Sequence, residues 1–196
     1  MLLVVLVAGG CSSSGGGPGI AYYLIDPVDA EPIRETDLSI EILDLRIPQY
    51  LERYQIASRT SQNRLRFSEA HQWGETLRKN LARTLSRNLT ELLGTVDVAT
   101  PFNRLASRPD LRLLIDIDEF EARADRRVHL VARWQLALPD GTAIATERVN
   151  LAGERPFPAG DYGALVGQMR QLFGELSRRI ARSIAESNAA GEASSG

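Results

Sequence analysis

Val128-His129-Leu130-Val131-Ala132-Arg133-Trp134-Gln135-Leu136-Ala137-Leu138 is the stretch on which the fold class turns. Val128, Leu130, Ala132, Trp134, Leu136 and Leu138 recur at every second position. That is the side-chain period of a strand with one buried face. Pro139-Asp140-Gly141 follows as a turn signal, and residues 143–152 supply the returning strand. Upstream, Leu111, Leu113, Ile115 and Ile117 alternate with Arg112, Asp116 and Asp118 in another half-buried strand. The middle of the chain therefore reads as strands joined by tight turns.

Working outward, the period changes to that of a helix. From Glu75 to Leu93 the apolar positions are Leu77, Leu81, Leu85, Leu89 and Leu92, one stripe of an amphipathic helix that Gly94 stops. A second helix runs from Tyr162 to about Glu186, with Asp161 as N-cap. Its stripe is Tyr162, Leu165, Met169, Leu172, Phe173, Leu176, Ile180 and Ile184. Nearer the start, Tyr22-Tyr23-Leu24-Ile25 is a short β-prone run closed by Asp26-Pro27. Leu38, Ile40 and Ile42 alternate with Ser39 and Glu41, and residues 54–68 form a hairpin around Ser61-Gln62-Asn63. This order predicts an α+β fold, a mostly antiparallel β-sheet covered on one face by two amphipathic helices. The folded domain is assigned to residues 22–187, and the small, polar residues 188–196 to a disordered tail.

Composition bounds what such a domain does. With 196 residues, 43% apolar and 24% charged, the chain suits one globular domain. A net charge of −2 argues against a dedicated nucleic-acid binder, and no apolar run is long enough to span a bilayer. One cysteine allows no internal disulfide. The two histidines, His71 and His129, are isolated and offer no ligand pair. No Gly-x-Ser-x-Gly elbow, Ser-x-x-Lys pair or phosphate-binding glycine loop occurs. Neither catalytic, cofactor-binding nor metal-binding residues are assigned, and an enzyme is not expected.

The first residues concern location. Residues 2–8 are apolar and would span about 10 Å as a helix, the scale of a signal's apolar centre. Ala8-Gly9-Gly10 then precedes Cys11, an arrangement that looks like a bacterial lipobox. Cleavage before Cys11 makes residues 1–10 a signal peptide and Cys11 the lipidated (palmitate-bearing) N-terminus. The first basic residue is Arg34, so the signal's charged start would lie upstream of Met1. Residues 12–21 are rich in serine and glycine and form, with Cys11, a tether of about 17 Å root-mean-square reach. Acyl chains contribute ~0.8 kcal/mol per buried methylene, so two or three on Cys11 would hold firmly. Ser12 is not the aspartate that retains many lipoproteins at the inner membrane, which favours the outer membrane, facing the periplasm.

Two charged features stand out. Asp116, Asp118, Glu119 and Glu121 are the densest acidic cluster; a hydrolytic carboxylate pair is weighed there against a solvated face balanced by Arg127 or Arg133. Residues 26–44 hold seven acids against Arg34, and residues 53–87 eight bases against Glu69 and Glu75. The two segments either neutralise each other or polarise a surface that docks a partner, another copy or anionic lipid.

Ile47-Pro48-Gln49-Tyr50-Leu51-Glu52-Arg53-Tyr54-Gln55-Ile56-Ala57-Ser58-Arg59, followed by Asn63, Leu65, Trp73, Gly74, Glu75 and Leu77, resembles the PqiC family. These are auxiliary lipoproteins of MCE-type, ABC-transporter-linked systems. Tyr22-Tyr23-Leu24 matches the family's opening strand and Cys11 its lipidated cysteine. Gln72, Gly74, Thr76 and Ala57 depart from the usual arginine, alanine, proline and valine. The resemblance implies a non-enzymatic outer-membrane lipoprotein that docks a periplasmic MCE-domain, PqiB-like protein in intermembrane lipid transport and supports membrane integrity. It makes Pro48, Tyr50, Leu51, Arg53, Gln55, Arg59 and Trp73 candidate partner-binding or self-assembly residues. Their alternative role is to build a rigid turn and strand, with Trp73 in the core. The alternative function is direct carriage of phospholipid or another hydrophobic ligand in a groove between helix and sheet.

Overall fold

A computed structural model describes residues 19–95, 98–103 and 108–194. In chain order the elements are β1 (Ala21–Tyr23), β2 (Ile40–Arg46), a single 3-10 turn (Gln49–Leu51), β3 (Gln55–Ser61) and β4 (Arg64–Trp73). There follow α1 (Leu77–Leu93), β5 (Val98–Ala99), β6 (Leu111–Ala122), β7 (Val128–Ala137), β8 (Ala143–Ala152) and α2 (Tyr162–Ser194).

The eight strands form one sheet, organised on β6. One edge of β6 pairs antiparallel with β7 from Arg112 to Ala122, and β7 pairs antiparallel with β8. The other edge takes two strands in succession. β2 lies parallel to residues 111–116 of β6, and β3 meets it in parallel at Ser58 and Ala122. β4 then pairs antiparallel with β3, while β1 pairs parallel with β4 and β5 with β2.

The sheet is therefore mixed and not purely antiparallel: its longest ladders, β6 with β7 and β7 with β8, run antiparallel as expected, and parallel pairs join them on the other edge of β6. The hairpins 55–73, 111–137 and 128–152 are antiparallel because short turns join them. β2 and β6 are parallel because α1 lies between them in the chain, and a parallel pair needs a crossover of that length. Strand periodicity reports a buried face but carries no information about the direction of the neighbour.

Both helices bury the stripes their sequences present. Leu77, Leu81, Leu85, Leu89 and Leu92 of α1 join Leu165, Met169, Phe173, Leu176, Ile180 and Ile184 of α2 in one core with Ile40, Ile42, Leu113, Ile115, Leu130 and Trp134 of the sheet. Gly94 closes α1 in the left-handed conformation, with φ of 62°. Asp161 caps α2, its Oδ1 accepting the Ala164 N–H at 2.8 Å. α2 continues to Ser194, so the backbone of residues 188–194 is helical where composition suggests a disordered tail. Ala189, Ala190, Glu192 and Ala193 are strong helix formers, and a nucleated helix propagates readily through them.

Residues 24–38 form no regular element, yet they are tied down by polar side chains on α1. Asn80 accepts the Ile25 N–H at 2.7 Å and donates to the Ile25 carbonyl at 3.1 Å. Thr84 donates to the same carbonyl, and Asn88 accepts the Val28 N–H at 3.1 Å. Asn80, Thr84 and Asn88 are spaced by four residues, so one helix row supplies the partners that a neighbouring strand would otherwise give.

Candidate functional site

β2 and β3 follow one another along the same edge of β6, and residues 47–54 bridge the gap between them. Pro48, with its ring-fixed φ of −57°, opens the 3-10 turn, and its carbonyl accepts the Leu51 N–H at 2.9 Å. The turn sends Leu51 into the core and directs Tyr50 at Glu121 near the end of β6.

Glu121 is only 1% exposed. Burial of a carboxylate is costly unless its oxygens are paired. Here the Tyr50 hydroxyl donates to Oε2 at 2.8 Å and Arg59 Nε donates to Oε1 at 2.9 Å. The Arg59 guanidinium also lies 5.9 Å from the centre of the Tyr50 ring and donates to the Gln62 carbonyl. Burial, then the hydrogen bond and charge of Glu121, push the Tyr50 hydroxyl well above the usual tyrosine range. The hydrogen bond to Glu121 raises the Arg59 guanidinium further. With both carboxylate oxygens engaged, the trio braces the bridge between β2 and β3.

The second half of the segment is braced as well. The Arg53 guanidinium lies 4.7 Å from the centre of the Phe67 ring. The Trp73 N–H donates to the Tyr54 carbonyl at 2.7 Å, and the Gly74 N–H to the Tyr23 carbonyl at 2.9 Å. Gln55, Gln72 and Tyr22 fall in one register row across β3, β4 and β1. At this end of the sheet Tyr22 is 65% exposed, Tyr54 54%, Ile20 48% and Leu24 41%.

Of the candidate residues, Leu51 and Trp73 lie in the core, Tyr50 and Arg59 in the lock on Glu121, and Pro48 at the start of the turn. Arg53 and Gln55 keep accessible surface. Tyr22 and Tyr54, exposed aromatics beside them, were not singled out from sequence. Their positions next to Tyr23 and Gln55 in β-prone runs gave no sign of which face would be covered. Cys11 and residues 12–18 lie outside the described residues.

The acidic cluster divides. Asp116 pairs with Arg133 at 3.0 Å and Arg46 at 2.8 Å, Asp118 with Arg148 at 3.6 Å, and Glu119 with Arg123. A register shift between Ile117 and Glu119 exchanges the faces of β6, so Phe120 and Ala122 take over the core side. Arg127 pairs instead with Asp125, which also meets His129 Nε2 at 3.0 Å. His71 Nδ1 bonds the Tyr23 hydroxyl at 3.0 Å, and its ring stacks on Tyr162 at 3.9 Å. Between the acidic and basic segments, Arg78 pairs with Asp44 at 3.0 Å. Other members look elsewhere: Glu41 pairs with Arg112 and Asp29 with Arg170.

Residues 22–181 match the family model described as the ABC-type transport auxiliary lipoprotein component. The chain belongs to this family. It is the PqiC-like family that residues 47–77 resemble. Two crystal structures share the fold of this auxiliary lipoprotein. One, of an uncharacterized protein, is 23% identical with a TM-score of 0.67, covering 85% of this chain and 99% of the other. The second, a Xanthomonas campestris protein of the DUF330 family, is 15% identical with a TM-score of 0.68, covering 86% of this chain and 99% of its own. No curated protein matches. Among the described residues, no helix is long and apolar enough to cross a membrane.

Proposed function

We propose that this auxiliary lipoprotein is a non-catalytic adaptor, held by acylated Cys11 in the outer membrane and facing the periplasm. There it docks an MCE-domain, PqiB-like protein of an intermembrane lipid-transport system and so supports membrane integrity. The observation that carries the docking reading is the exposure of Tyr22 and Tyr54. Ile20 and Leu24 flank Tyr22 along the chain, Gln55 lies in its register row, and Arg53 and Gln55 stand on either side of Tyr54 in sequence. Exposed tyrosine and arginine with apolar neighbours are the residue types enriched in interface centres. The surface stands on a braced frame, because Tyr50, Arg59 and Glu121 fix the bridge beneath it. A pre-ordered surface loses little entropy on binding. Its position suits an anchored protein: β1 begins at Ala21, ten residues after Cys11.

Capture of the MCE-domain protein from solubilised membranes tests this reading. Replacing Tyr22 and Tyr54 together by serine is expected to abolish capture while leaving the melting temperature within a few degrees of the parent. Equal capture by the double variant would place the docking surface elsewhere, and self-association through this end would appear as a change in its oligomeric mass.

A further inference from the structure

A pocket of about 310 Å³ opens where the start of α2 meets the β6–β7 turn and the middle of β3 and β4, toward the hairpin end and away from Tyr54. Phe157, Leu165 and four arginines, Arg59, Arg66, Arg123 and Arg126, are among the residues that line it. Arg59 and Arg123 are paired with Glu121 and Glu119. Even so, the Arg123 Nε is buried without a hydrogen-bond partner. Among the described residues, no carboxylate pairs with Arg66 or Arg126. Asp161 also lines the pocket and keeps its negative charge while its Oδ1 accepts the Ala164 N–H, so two guanidinium groups without a carboxylate partner stand against one carboxylate. The balance of free charge at the pocket is positive.

Arg126 is the non-glycine residue with positive φ among the described residues, at 57°. Glycine is the favoured residue in such a turn, because a side chain there is strained. The turn is fixed on both sides: the Arg126 N–H donates to the Arg123 carbonyl at 2.9 Å, and its own carbonyl accepts the Phe157 N–H at 2.8 Å. A strained arginine held beside a pocket is an arrangement whose use is sought in binding.

We infer that this pocket binds an anionic phosphate ester, its phosphate between Arg66 and Arg126 and its carbon part against Phe157 and Leu165. The planar guanidinium fork matches phosphate oxygens. The volume fits one small polar head with a short carbon segment, at the lower end of the roughly 300–1,000 Å³ range of small-molecule sites. A net anionic ester is selected over a choline ester, since the free guanidinium groups repel a quaternary ammonium. The headgroup of an anionic phospholipid and free glycerol phosphate share this chemistry, and the site is independent of the docking surface.

The test is a titration of the full-length chain, in a sugar-headed non-ionic detergent, followed by phosphorus NMR. The probes are dihexanoyl-phosphatidylglycerol, glycerol 3-phosphate and dihexanoyl-phosphatidylcholine. Saturable binding of either anionic probe, at least tenfold tighter than phosphatidylcholine, is expected. A tighter lipid arm identifies a headgroup as the source, and an equal or tighter glycerol phosphate arm a free ester. Arg126→Gly is expected to weaken binding at least tenfold while raising the melting temperature, an opposition that general damage to the fold cannot produce. Arg66→Ala, at an exposed strand position, should weaken binding at least fivefold. Absence of saturable binding by both anionic probes, or unchanged binding in both variants, overturns the inference.

Discussion

Arg59 Nε lies 2.9 Å from Glu121 Oε1, and this ion pair, three-quarters buried on one side and fully on the other, ties β3 to the end of β6. It holds together the segment through which the chain resembles its family. Such a pair is retained for the geometry it fixes as much as for its energy, since an apolar replacement of equal shape can be just as stable.

Removing one partner is a different matter. Arg59→Ala leaves the buried Glu121 without a charged partner, its Oε2 still held by the Tyr50 hydroxyl and the Phe120 N–H, and is expected to destabilise the fold by about 2–3 kcal/mol. Tyr50→Phe leaves the ion pair intact and should cost about 1 kcal/mol. Urea denaturation followed by tryptophan fluorescence checks both, the midpoint falling with unchanged slope.

Alkaline stability follows from Tyr50. Its folded-state pKa is raised above the unfolded value, so the folded chain holds a proton that the unfolded chain releases. The resulting stability is fully present below the unfolded tyrosine value of about 10 and is lost as pH rises beyond it. Urea midpoints measured upward from pH 9 should decline above about pH 10. Tyr50→Phe should flatten that decline.

Two glycines of α2 should respond with opposite sign. A Cβ on Gly174 would meet Val28 Cγ1 at 2.5 Å, and Val28 is buried and pinned through its N–H to Asn88. Gly174→Ala therefore sets an overpacking cost of about 1–3 kcal/mol against a helix gain of about 1, for a net loss of up to about 2. Gly167 has open space around it, and Gly167→Ala should add about 0.5–1 kcal/mol. Thermal unfolding of the two variants separates them.

Asn80 serves both polar groups of Ile25 from inside the core. Asn80→Ala orphans a buried N–H, and a loss of about 2 kcal/mol is expected. Hydrogen exchange should show the Ile25 amide losing protection before the amides of β6.

The strands and helices were legible because Leu77 to Leu92 and Val128 to Leu136 repeat with the period of the element they form. What the repeat could not carry is partner direction: nothing in Leu38, Ile40 and Ile42 says that their strand lies parallel to β6. The irregular segment 24–38 was equally hidden, because its hydrogen-bond partners sit on α1, some 55 residues away in the case of Ile25 and Asn80. At the candidate site, resemblance picked out Tyr50 and Arg59 but not their acceptor. Glu121 looked like one more acid on a solvated strand until a register shift and the 3-10 turn enclosed it. Exposure of Tyr22 and Tyr54 was invisible for the same reason, since which face of a short strand is covered depends on elements far along the chain.

The adaptor account rests on acylation of Cys11 at an outer-membrane surface, and mass spectrometry of the chain isolated from its own cells, after separation of the two membranes by density, tests it most directly. The account expects an N-terminus at Cys11 carrying diacylglycerol, recovered in the outer-membrane fraction. An unacylated thiol on a chain recovered in the soluble fraction would contradict it.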